Sequence, residues 1–181
     1  HFARINLNNA ASVSFWQFNT VVSSSSAFWL IAPTAGNIQR GFQAHTPWGN
    51  GTVYFDVAGQ TAGTGRLTST GATITNQWQH FVFQRRAAGD LEIWIDGVLA
   101  STSVGAPNLV PLNGAMVIGA EGVTLNNSFS GRIDELAVFS EALSSEQVGI
   151  LAGGATPPEL FGPLTPFIIT SISYDQAVDR T

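Results

Sequence analysis

The chain has 181 residues, 44% of them hydrophobic and only 10% charged, with a net charge of −5 and a sequence pI near 4.9. It therefore carries no basic face to neutralise phosphates, and nucleic acid is not an expected partner. Cysteine is absent, which removes disulfides and thiolate chemistry, and no apolar run approaches the roughly 18 residues of a membrane-spanning helix. All seven basic residues are arginine, so a surface of Ser, Thr, Asn, Gln and Gly is expected. Such a lysine-free, cysteine-free composition leans toward exposure outside a bacterial cell. The chain opens at His1-Phe2 without a methionine and shows no signal peptide, so a processed or partial segment of a longer precursor is expected.

In chain order, short β-branched and aromatic runs alternate with Gly, Asn, Pro and Ser clusters, the punctuation of an all-β protein. Strands are predicted near residues 12–19, 26–32, 38–45, 51–58, 66–70, 78–86, 91–96, 98–102, 115–120 and 130–139. Leu91, Ile93 and Ile95 fall on one face of their strand, Glu92 and Trp94 on the other. Ile95-Asp96-Gly97-Val98 predicts a hairpin, because Asp-Gly suits the two positive-φ positions of a type I′ turn. One helix is predicted, near 144–152, with a serine N-cap, Glu146 in its first turn and Gly153-Gly154 as its stop. Nine or ten strands and one late helix imply a two-sheet antiparallel jelly-roll sandwich over residues 1–156.

Four segments carry a family resemblance, in family order. They are Ala11-Ser-Val-Ser-Phe-Trp16, Asn76-Gln-Trp78-Gln-His80-Phe-Val, Leu91-Glu-Ile-Trp-Ile-Asp-Gly97-Val-Leu, and Gly131 to Leu143 leading into the helix. Together they resemble the laminin-G-like/pentraxin-like branch of the concanavalin A-like lectin/glucanase superfamily, over roughly residues 5–155. The resemblance implies a binding or structural module. It also implies a first strand well upstream of Ala11, paired with one near the C-terminus; here only His1 to Asn9 precede, so that strand is missing or much shortened.

Beyond Pro157-Pro158 the chain breaks into a proline-rich linker and a β-rich run, Phe167 to Asp175, making residues 157–181 a tail. A lone strand is not stable in water. Either this run begins a following domain, or Phe167, Ile168, Ile169, Ile172 and Tyr174 complete the sheet of another copy. Open edges recruit strands through main-chain hydrogen bonds, and a head-to-tail exchange of this kind builds a filament.

No catalytic constellation is present. The Glu-x-Asp-x-x-Glu strand that places two carboxylates on one face in laminarinase-type glycosidases is missing, as is Gly-x-Ser-x-Gly. Asp134 and Glu135 are adjacent, so on a strand they point to opposite faces. Of the three histidines, His80 occupies the family's Trp-x-His position, where a structural role is expected. The resemblance further implies calcium bound at loops on one edge. Glu121 stands where an acidic ligand would, Val123 replaces the second acid, and at most a single Ca²⁺ involving Glu121, Asn126 or Asp134 is expected; otherwise no cofactor.

Sugar binding requires exposed rings beside polar groups. Trp16, Trp29, Trp78 and Trp94 lie within strands, where core packing is expected for most. Trp48 lies in the loop Thr46-Pro-Trp-Gly-Asn50-Gly, either as an exposed stacking platform beside Asn50 or as a lid over the open end of the sandwich. Asn50 and Asn126 match the N-glycosylation pattern. The expected function is a non-catalytic structural or adhesive surface protein assembling with its own copies through the tail. The alternative is a carbohydrate-binding module of a larger secreted protein, its partner a surface glycan.

Overall fold

The computed structural model describes residues 9–111 and 115–161. Residues 1–8, 112–114 and 162–181 lie outside the described residues, and with them Phe167, Ile168, Ile169, Ile172, Tyr174 and the segment preceding Asn9.

Ten strands form: β1 (Ala11–Asn19), β2 (Ser26–Ile31), β3 (Arg40–His45), β4 (Val53–Val57), β5 (Arg66–Ser69), β6 (Trp78–Arg85), β7 (Leu91–Ile95), β8 (Val98–Ser103), β9 (Met116–Ile118) and β10 (Gly131–Phe139). They make two five-stranded sheets, ordered β10-β1-β6-β7-β8 and β5-β4-β3-β2-β9, and all ladder pairings are antiparallel. The predicted jelly-roll sandwich is the observed architecture, and each predicted strand falls on one of these elements.

Period-two patterning explains the core. Val13 and Phe15 of β1, Phe28 and Leu30 of β2, Phe42 and Ala44 of β3, Phe55 of β4, Phe81 and Phe83 of β6 and Ile93 of β7 all point between the sheets and are buried. Six phenylalanine rings mesh there at centroid separations of 4.8 to 6.0 Å. Each buried ring contributes about 1.5–3 kcal/mol. Asp96 (φ 50°) and Gly97 (φ 81°) adopt the left-handed conformations expected of the β7–β8 hairpin.

A second apolar cluster lies on the outer side of the first sheet, where the helix Ser145–Ala152 sets Val148 and Leu151 on Val82 and Trp94. Its cap is reciprocal. Ser144 Oγ accepts from the Gln147 amide at 3.2 Å, and Gln147 Oε1 accepts from the Ser144 amide at 2.8 Å. Beneath it Glu92 accepts from Gln84 (2.5 Å), Trp94 (2.7 Å) and Arg86 (2.5 Å). Trp94 and Glu92 thus share a face, as their spacing predicts.

Where the sequence reading places a break at Pro157-Pro158, a short helix forms instead over Pro157–Phe161. Proline is tolerated in a first helical turn because the missing N–H has no partner there anyway. The turn is closed by Glu159, whose carboxylate accepts from the Thr156 amide at 2.7 Å and the Thr156 hydroxyl at 2.9 Å. Leu160 packs against the second cluster.

Candidate functional site

The outer face of the second sheet is unusual, because it is polar and yet buried. Two cross-strand rows build it. In one, Trp29 opposes Gln43, Gln43 opposes Asp56, and Asp56 opposes Arg66; in the other, Ser26 opposes His45, His45 opposes Tyr54, and Tyr54 opposes Thr68. Asp56 is fully buried at the centre. It accepts two parallel bonds from Arg66, both 2.5 Å, and one from Gln43 Nε2 at 2.5 Å, while Arg40 Nε stands 3.4 Å away. The two guanidiniums are also held over rings, Arg40 over Trp29 and Arg66 over Tyr54, each 4.7 Å from the centroid.

Three loops wall this face. The segment after β3 carries a cis Thr46–Pro47 bond and lays the half-buried Trp48 ring on His45, centroids 4.5 Å apart. The β9–β10 loop lies against Trp29 so closely that a Cβ on Gly122 would stand 2.3 Å from the indole. At the far end Asn37 donates to Thr61 Oγ1 at 3.3 Å. There Gly59 (φ 76°) permits a backbone approach to Gly36 that leaves no room for a side chain. Between these walls opens a cavity of about 310 Å³ lined by Asn37, Arg40, His45, Trp48, Tyr54, Thr61 and Arg66.

Of the residues expected to bind sugar, Trp48 borders this cavity, and its ring covers the sheet's outer face, not the end of the sandwich. Asn50 is exposed in the adjoining turn, where its Oδ1 accepts from the Thr52 amide at 3.0 Å. Asn126 is exposed as well. Among the other tryptophans, Trp29 and Trp94 are buried as expected, Trp16 is half-buried, and Trp78 is 42% exposed at the open end of the first sheet. Arg40, Tyr54, Arg66, Asn37 and Thr61 were not anticipated. Their one sequence signal is charge: Arg40, Asp56 and Arg66 interrupt strands in a chain with few charges.

The three residues considered for calcium do not gather into a cage. Glu121 turns both carboxylate oxygens inward, accepting from Thr124 Oγ1 and Asn127 Nδ2, each at 2.7 Å, and the Asn126 carbonyl accepts from the Glu121 amide. Asp134 sits on β10 in the opposite sheet and accepts from the Glu135 amide at 2.9 Å. No group of three or more His, Cys, Asp or Glu suited to a metal occurs among the described residues.

His80 holds Ser14 Oγ at 2.9 Å through Nε2, a contact reminiscent of a base and its nucleophile. Both residues are buried and the His80 Nδ1 has no partner, so no acid orients the ring. Burial pushes His80 down to about 4, and burial together with Arg40 and Arg66 pushes His45 down to about 3, from an ordinary 6.5. Both are neutral in the fold and protonate on unfolding below pH 6.5, so stability is full above that value and falls with pH toward the folded values. Between pH 8 and pH 5 each histidine is expected to cost about 2 kcal/mol. Urea midpoints at pH 8, 6.5 and 5 check this. His80→Gln should remove about half of the slope, and an unchanged slope contradicts the neutral assignment.

A sequence model of the laminin-G-like family Laminin_G_3, of the concanavalin A-like lectin/glucanases superfamily, matches residues 1–149. The chain belongs to that family. No curated protein sequence matches it. Among solved structures, it is similar in fold to the heptameric SAP-like pentraxin of Limulus polyphemus (TM-score 0.65, 18% identity, covering 82% of this chain and 72% of the pentraxin). It also resembles the sialidase CBM40 of Ruminococcus gnavus bound to α2,3-sialyllactose (TM-score 0.63, 15% identity, covering 80% and 83%). A third is domain 4 of AbnA, an extracellular GH43 arabinanase of Geobacillus stearothermophilus, in complex with arabinotriose (TM-score 0.59, 22% identity, covering 80% and 66%). These likenesses define a lectin-type sandwich, a fold that hosts carbohydrate-binding modules.

Proposed function

We propose that the chain is a non-catalytic carbohydrate-binding module working outside the cell, with the cleft on the second sheet as its glycan site. The observation that carries this reading is the pairing of two half-buried rings, Trp48 and Tyr54, with hydrogen-bonding side chains around one cavity of about 310 Å³. Sugars present apolar ring faces for stacking and hydroxyls for polar groups, and a cavity of this size suits a small ligand. The fold neighbours named for carbohydrate ligands support it. No helix among the described residues is long and apolar enough to cross a membrane.

A glycan array probed with the chain should return bound oligosaccharides, and Trp48→Ala should weaken the best of them at least tenfold, about 1.4 kcal/mol. An array without hits, or equal binding by the variant, sinks the reading. Assembly by strand exchange draws on Phe167, Ile168, Ile169, Ile172 and Tyr174; nothing in the described residues favours it over glycan recognition.

A further inference from the structure

The cleft's lining is electrostatically one-sided. Arg40 and Arg66 both reach it, while no carboxylate lines it; Asp56 lies beneath, fully buried, and Glu121 is engaged by its own loop. Arg66 commits Nε and Nη2 to Asp56, which leaves Nη1 without a partner among the described residues. Arg40 is more than nine-tenths buried, yet its Nε, 3.4 Å from Asp56 Oδ2, makes no hydrogen bond among the described residues. Asp56 therefore holds Arg66 through two of its three nitrogens, and Arg40 only through a longer ion-pair contact. Leaving a buried cation without hydrogen bonds is costly, and the usual resolution is an anionic group brought to it. The other lining groups on the same elements, neutral His45, Asn37, Thr61 and Tyr54, add no negative charge that would oppose one.

We infer that the site takes an acidic sugar, whose carboxylate seats on Arg40 and the free Nη1 of Arg66 while its ring stacks on Trp48. This rests on the glycan-binding reading and narrows it to hexuronic or sialic acid residues. A guanidinium matches a carboxylate with two parallel donors, a geometry that a sugar hydroxyl does not offer. The two sources share that carboxylate and differ in what surrounds it.

Titration calorimetry with the full chain separates the possibilities through matched probes. These are α2,3-sialyllactose against lactose, and trigalacturonate against its methyl ester, at 50 and 500 mM NaCl. The acidic member of one pair is expected to bind at least tenfold tighter than its neutral partner at 50 mM, with the advantage shrinking at high salt. The pair that shows the advantage identifies the source.

Arg66→Gln should lower the acidic-to-neutral ratio severalfold. Because that variant loosens the Asp56 cluster, Thr61→Asp at the half-buried rim serves as the second: it adds a facing carboxylate and should lower the same ratio without touching the cluster. Equal affinity within both pairs overturns the acidic assignment and leaves the glycan reading standing. The same holds if neutral glycans bind on the array and both acids fail. An array without any hit removes both, and a ratio unmoved by either variant overturns the seating on Arg40 and Arg66.

Discussion

Asp56→Ala is expected to destabilise the fold by about 3–5 kcal/mol, among the largest effects of any single substitution outside the phenylalanine core. The carboxylate has no solvent contact and accepts from Arg66 twice and from Gln43 once, with Arg40 beside it. Removing it leaves a buried guanidinium and a second, partly buried one facing each other with no anion between them. Burial already lowers the affinity of Arg40 for its proton, and the Coulomb attraction of Asp56 offsets that in part. Asp56→Asn keeps an acceptor but not the charge, and should fall between wild type and alanine. For a domain of this size the loss corresponds to a drop in Tm of roughly 6–20 °C, read by thermal melts, with urea melts giving the free energy. A loss under about 1 kcal/mol would show that the cluster relaxes or admits water. The cleft should disappear with the cluster, since Asp56 fixes the rotamers of Arg66 and Gln43.

Arg85→Met is expected to cost a comparable amount, about 3–5 kcal/mol, for a different reason. Arg85 points inward from the end of β6, is fully buried, and has no carboxylate in hydrogen-bond contact. Its guanidinium instead donates to the carbonyls of Asn9, Arg86, Ala106 (3.1 Å) and Pro107 (3.0 Å) and to Asn108 Oδ1 (3.4 Å). These acceptors belong to chain segments that pair with no strand, so the arginine gathers them at one end of the sandwich. Methionine fills the volume but takes away the donors of all these acceptors at once. Arg85→Lys retains the charge and three donors, and should recover part of the loss. Urea unfolding gives the magnitudes. Faster amide exchange at Ala106, Asn108 and Leu109, before any change in β6, would place the effect where the geometry does; uniform loosening would contradict it.

Much of the fold was legible because local chemistry dictates it. Strands such as Ser-Val-Ser-Phe and Leu-Glu-Ile-Trp-Ile alternate at period two, Asp96-Gly97 supplies two positive-φ residues in succession, and Ser144 with Gln147 closes a cap across three residues. Each signal lies within a few neighbours in sequence. The helix at Pro157 was missed because proline reads as a stop, whereas the Thr156–Glu159 cap makes it a start.

The binding cleft was barely legible, and Trp48 alone was picked out, on loop context. Gln43, Asp56 and Arg66 are up to 23 positions apart, and no local pattern reveals that they stand side by side. Sequence by itself settles the all-β class, the succession of strands along the chain, the capped helix near 144–152 and the scarcity of charge. Only the tertiary structure decides that the few charges on three neighbouring strands converge on one sheet's outer face. Cross-strand register is set by how whole sheets bury their apolar faces, and that is a property of pairs of strands, not of any one of them.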